Sequence, residues 1–219
     1  METLTLPRYT IKEEVFNSIT HGLGAVLALI GTVLMAALAV LNHSGFALAN
    51  SLIYGFSLIV LYTMSTVYHA VTNPRAKSIL RVFDHTSIFL LIAGSYTPFC
   101  LVALQGKVGG LIVAAAVWIC AVAGIILNAI DLKKTEKLGL VLYVIMGWSV
   151  VAVIKDIIAV LPAPGFWLLL AGGISYTAGI IFYVKKDVKY MHGIWHLFVL
   201  AGSILQFLCI ILYVMPMAY

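Results

Sequence analysis

Residues 192–215 read HGIWHLFVLAGSILQFLCIILYVM, and their reading decides the fold. From Leu197 to Met215 the run is almost purely apolar. It has the roughly 20 residues with which a helix crosses a bilayer. Just ahead of it stand His192 and His196, four residues apart and therefore one turn apart on one helix face. That spacing lets a single helix offer two imidazoles to one metal ion. Ionisable rings at the edge of a membrane span are costly, which marks the pair as a candidate site.

The same apolar pattern recurs along the chain. Of its 219 residues, 63% are hydrophobic and 10% charged, and mean hydropathy is +1.11. A soluble domain is about half apolar and about a quarter charged. The composition predicts an all-α integral membrane protein, one seven-helix domain over residues 1–219 with a short polar segment, 1–16, at its start. The expected spans are Gly22 to Leu41, Phe46 to His69, Val82 to Leu104, Val108 to Ile130, Leu138 to Val160, Phe166 to Val184 and Ile194 to Met215. The first is of full spanning length, unlike the short apolar core of a secretory signal peptide, and is expected to be retained. Short loops make consecutive helices antiparallel neighbours.

Lysine and arginine concentrate on the cytoplasmic side of membrane proteins. Alternate loops place Arg8, Lys12, Arg75, Lys77, Arg81, Lys133, Lys134, Lys137, Lys185, Lys186 and Lys189 on one side, and only Lys107 and Lys155 on the other. The N-terminus is therefore expected in the cytoplasm and the C-terminus outside. The net charge of +5 is accounted for by these loops. There is no basic–aromatic interleaving and no nucleic-acid motif. Cys100, Cys120 and Cys209 lie inside apolar runs, without the spacing of a disulfide or metal framework. Pro98 is expected to kink or tighten the third span, since it lacks a backbone donor. Lys155 reads as a snorkelling lysine beside Asp156.

This topology gathers five of the six histidines in one layer. His21 lies where the first span begins, His69 where the second ends, His85 near the start of the third, and His192 and His196 at the start of the seventh. His43 falls in the opposite loop. His69, His192 and His196 supply three imidazoles and leave an open fourth position, a catalytic zinc pattern. Asp84 would hold a water there or accept its proton, although an ion pair with Arg81, three residues earlier, would also satisfy it. Ser65, one turn before His69, would orient that histidine, the water or a substrate carbonyl. Glu14 and Asn17 are second candidates around the metal, or simply acidic and polar residues at a helix start. His21 and His85 complete the supporting set. On a helix, His85 points about 100° away from Asp84.

With these residues in hand the chain resembles the progestin and adipoQ receptor family, and more closely its bacterial hemolysin III branch. The resemblance rests on Glu14-x-x-Asn17-x-x-Thr20-His21, on Ser65-x-x-x-His69 followed by Asp84, and on His192-x-x-x-His196, in family order at the expected helix ends. It implies seven helices with a cytoplasmic N-terminus, zinc on His69, His192 and His196, and a location in the bacterial inner (plasma) membrane. It also implies three functions that differ in mechanism. One is zinc-dependent hydrolysis of a membrane lipid amide or ester, in the manner of ceramidase-type relatives. Another is membrane-lipid homeostasis or a non-catalytic sensor in which zinc is structural, a closed site that Asp84 would complete as a direct fourth ligand. The last is cytolysis by pore formation, as the hemolysin name suggests, though no helix carries a polar stripe along its whole length. The partners implied are the lipid bilayer and a membrane lipid as substrate or ligand.

Overall fold

The structure, a computed structural model, describes residues 9–185 and 188–219. Arg8, Lys186 and the first eight residues of the polar N-terminal segment lie outside the described residues. The chain forms α1 (Ile11–Leu41), α2 (Gly45–Ala70), α3 (Pro74–Pro98), α4 (Val108–Gly147), α5 (Ile154–Val160), α6 (Ala163–Tyr183) and α7 (Met191–Cys209). There is no strand among the described residues. Among the described residues, six stretches are long and apolar enough to cross a membrane: Ile11–Leu41, Gly45–Ala70, Pro74–Ala103, Val108–Val160, Ala163–Tyr183 and Met191–Ala218.

Several helices start earlier than their apolar runs, because polar caps start them. Thr10 accepts from the Glu13 amide and the Glu13 carboxylate accepts from the Thr10 amide, so α1 begins at Ile11 rather than Gly22. Asn73 caps α3, with Pro74 in the first turn, where its missing N–H costs nothing. These extra turns carry Glu14, Lys77 and Arg81 toward the histidines. Pro98 keeps helical dihedrals, and the helix widens after it into a π-helical turn, Phe99–Ala103.

The runs expected at Val108 to Ile130 and Leu138 to Val160 fall within the single stretch Val108–Val160. Between them, Asp131 leaves helical geometry, with φ −155° and ψ 85°. The chain reverses there. The Thr135 hydroxyl donates to Asn128 Oδ1 at 2.8 Å, and a β-carbon built on Gly139 would lie 3.6 Å from the same oxygen. In an unbroken helix residues 128 and 139 would be about 16 Å apart. Both limbs meet α3. Trp118 donates to Thr97 from the first limb, while from the second the Tyr143 hydroxyl donates to the His85 carbonyl and Tyr96 donates to that of Gly147. Lys107, before the first limb, lies 3.5 Å from Asp156 after the second.

Polarity is distributed inside out. Along α1, Asn17, Thr20, His21 and Gly24 face the bundle, while Leu29, Ile30 and Val33 face outward at 56–60% exposure. A soluble helix would hide those apolar chains; here lipid covers them. Small residues let the helices approach: the Tyr62 ring of α2 fills the space a side chain at Gly24 would need. Between α3, the second limb of α4, α6 and α7 lies a largely apolar cavity of about 200 Å³. Asp84 and Leu104 both line it, so it follows roughly 30 Å of helical rise along α3 and its π-turn.

Candidate metal centre

Three rings converge at one end of the bundle. His69 comes from the last turn of α2, and His192 and His196 from the first turns of α7. His69 Nε2 and His196 Nε2 each lie 3.2 Å from His192 Nε2, and all three residues are buried. Two nitrogens each about 2.05 Å from a tetrahedral ion are about 3.3 Å apart, so the spacing suits a single zinc-sized ion. Among the described residues, these three histidines form a group whose donor atoms all lie within 4.8 Å of one another, and Asp84 is not part of it.

The opposite nitrogens are held from α1. His69 Nδ1–H donates to Glu14 Oε2 at 2.6 Å, and Lys77 Nζ binds Glu14 Oε1 at 2.8 Å. His196 Nδ1 lies 3.2 Å from the Asn17 carbonyl and equally far from the Thr20 hydroxyl. The Thr20 hydroxyl itself donates to that carbonyl. A proton on Nδ1 satisfies these acceptors and leaves Nε2 bare on both rings, the state a metal ligand needs. On the α7 side the Glu13 carboxylate also accepts from the Tyr190 amide at 2.9 Å, tying the start of α1 to the start of α7. Tyr9 stacks on His192 with centroids 5.1 Å apart and planes at 26°. Burial, reinforced by the Glu14 charge, pushes the Tyr9 phenol well above its ordinary range, so it stays neutral.

The remaining candidates fall around this centre. Ser65 is 1% exposed, and its hydroxyl has no hydrogen-bond partner among the described residues. A buried orphan hydroxyl one turn from a metal-competent histidine suits a site that takes further groups. Asp84 is buried and lines the apolar cavity, with Oδ2 3.6 Å from His85 Nδ1, so the neighbouring side chains lean together despite their angular separation. His85 Nδ1–H also donates to the Arg81 carbonyl at 2.9 Å. Arg81 pairs with Glu136 on the second limb of α4 at 3.1 Å. His21 stacks on His196, with centroids 3.5 Å apart. His43, with positive φ, lies between α1 and α2 at the opposite end.

Sequence reasoning missed Glu13 and Lys77 as parts of the centre. The first was findable, because Thr10-x-x-Glu13 is a capping-box pattern. Lys77 had no such signal: it counts as one loop charge until α2 and α3 are seen side by side.

The fold and the centre together define a class: a multi-pass α-helical membrane protein with a buried three-histidine group able to hold a metal ion. The chain matches the family model described as Haemolysin-III related over residues 9–207. It is 39% identical to Hemolysin-3 of Bacillus cereus over 217 residues, 99% of both chains. It is 40% identical to the Hemolysin-3 homolog of Bacillus subtilis over 205 residues, 94% of this chain and 96% of that one. It is also 29% identical to the human Monocyte to macrophage differentiation factor over 210 residues, 92% of this chain and 84% of that one. The protein therefore belongs to the haemolysin III family, within the wider progestin and adipoQ receptor group.

Proposed function

We propose that this protein is a zinc-dependent hydrolase that cleaves the amide or ester bond of a membrane lipid near the inner leaflet of a bacterial inner membrane. The observation that carries the reading is a group of three imidazole nitrogens at the end of the bundle where Asp84 and His21, the latter stacked on His196, line a long apolar cavity. His69, His192 and His196 would hold the ion, which when bound supplies Lewis-acid polarisation of a carbonyl and makes water acidic near neutral pH. Asp84 accepts the proton of the attacking water at its carboxylate and returns it to the leaving group. The Ser65 hydroxyl donates to the substrate carbonyl. Glu14, Asn17 and Thr20 hold the histidine rings in register, and the apolar cavity takes the lipid chain and keeps bulk water away. Such a reaction would serve membrane-lipid homeostasis.

The same reading takes the two limbs of Val108–Val160 as two spans, giving seven in all. The Lys107–Asp156 approach supports this, because it brings the two ends of that stretch together. The excess of basic residues at the histidine end supports a cytoplasmic position for that end and an outer one for the C-terminus. Ser44, between α1 and α2, donates to the Ala218 carbonyl at 2.6 Å, which sets the C-terminus away from the histidines.

The test is zinc per protein in detergent, for wild type and His192→Ala, combined with hydrolysis of labelled lipid amides and esters. One zinc and hydrolysis in the wild type, with both lost in the variant, is the expected result. A wild type without stoichiometric metal would rule out the centre. Retained zinc with no hydrolysis of any lipid would leave a structural site.

A further inference from the structure

The δ nitrogens of His69 and His196 are engaged with α1, but His21 is placed differently. It is 1% exposed, and neither ring nitrogen has a hydrogen-bond partner among the described residues. Its face lies on His196, with planes 14° apart, and it meets the Tyr62 ring edge to face at 5.0 Å. Stacking of this kind fixes the plane of the ring without using its nitrogens, which lie in its edge. His21 also lines the apolar cavity, as Asp84 does. His85 shows the contrasting case, a buried histidine satisfied by a backbone carbonyl. Phenylalanine would serve a purely packing role at position 21 without burying unpaired polar atoms.

We infer that His21 is a ligand-recognition residue, whose ring edge hydrogen-bonds the polar group of a long-chain lipid lying in the cavity. The inference rests on the lipid-hydrolase reading for the class of occupant. It adds the residue that reads the polar group. His21 is not one of the histidines whose donor atoms cluster for a metal. A neutral imidazole carries one N–H donor and one bare acceptor nitrogen. It therefore favours a lipid that can donate as well as accept, and disfavours one of equal chain length whose polar group only accepts. Unpaired polar groups in such a site make the discrimination sharper than in water.

The test uses the full-length, zinc-loaded protein in lipid nanodiscs. A fluorescent fatty probe is displaced by N-methylhexadecanamide or by N,N-dimethylhexadecanamide, which lacks the N–H. Wild type is expected to prefer the N-methyl compound about tenfold, the yield of one net hydrogen bond. His21→Phe keeps the aromatic stack, and is expected to lose the preference with its zinc content unchanged. His21→Gln, which again offers a donor and an acceptor, is expected to recover part of it. No preference in wild type overturns the inference, as does a preference retained in His21→Phe. Loss of zinc in His21→Phe overturns it too, by assigning the ring to the metal centre. Hydrolysis in the same samples separates the two proposals. Preference without hydrolysis sinks only the hydrolase, and hydrolysis without preference sinks only the role of His21.

Discussion

Glu14 joins two helices through one carboxylate, taking the His69 N–H on one oxygen and the Lys77 ammonium on the other. If it sets the tautomer of His69, removing its charge weakens the metal centre without touching a ligand. Groups that orient metal-bound histidines typically contribute a factor of about 10 to 100 in metal affinity. Glu14→Gln should therefore lower zinc affinity by at least about tenfold in a chelator competition, with helical content unchanged by circular dichroism. Equal affinity in variant and wild type would show that Asn17 and Thr20 suffice. At this scale the sequence is legible where a residue's role is local. The spacing of His192 and His196, and of Ser65 and His69, puts each pair on one helix face. Lys77 is not local in that sense. Its ammonium also donates to the carbonyls of Tyr68 and Val71, the open C-terminal end of α2. That contact exists only because the α2–α3 connection turns back on itself.

The helices converge on the centre through one close approach. A β-carbon on Gly193 of α7 would collide with the Phe16 ring and lie 2.7 Å from Asn17 Oδ1, both on α1. The backbone of Asn17 holds His196, so any side chain at 193 forces α1 away from the ring it supports. Gly193→Val should lower both the thermal midpoint and the zinc content. Gly173→Val is its control, since nothing lies within 4 Å of a β-carbon there. Its midpoint should stay within the few degrees expected where a cavity-lining position has room for a side chain. Similar losses in both variants would mean that the α1–α7 approach is not special. The sequence conveys such contacts poorly, because a glycine at a tight interface and one beside open space look alike in the letters. It conveys the reversal in α4 only indirectly. Asp131 to Lys137 holds no glycine or proline, so what suggests a turn there is its charge. The structure makes the turn with Thr135 bonded back to Asn128.

For the molecule as a whole, the decisive question is how many times Val108–Val160 crosses the membrane. If it crosses once, Lys107 and Lys155 emerge on opposite sides. If its two limbs are separate spans, both emerge on the outer side, and Lys134 at the turn faces the cytoplasm. Charge distribution favours the second arrangement, because it leaves Lys107 and Lys155 alone against the basic residues of the histidine end. The structure supplies an independent reason in the approach of Lys107 to Asp156. The Lys134 and Lys107 side chains are 84% and 53% exposed, so cysteines placed there are open to reagents. In a background with Cys100, Cys120 and Cys209 replaced, an impermeant maleimide should label Lys107→Cys and Lys155→Cys in intact cells. Lys134→Cys should react only after the membrane is opened. Labelling of Lys107→Cys but not Lys155→Cys in intact cells would reduce the count to six spans. Labelling of Lys134→Cys alone would invert the protein and put the three histidines at the outer leaflet. The latter outcome would change the proposed substrate as well as the topology, because the three histidines would then meet only lipids of the external monolayer.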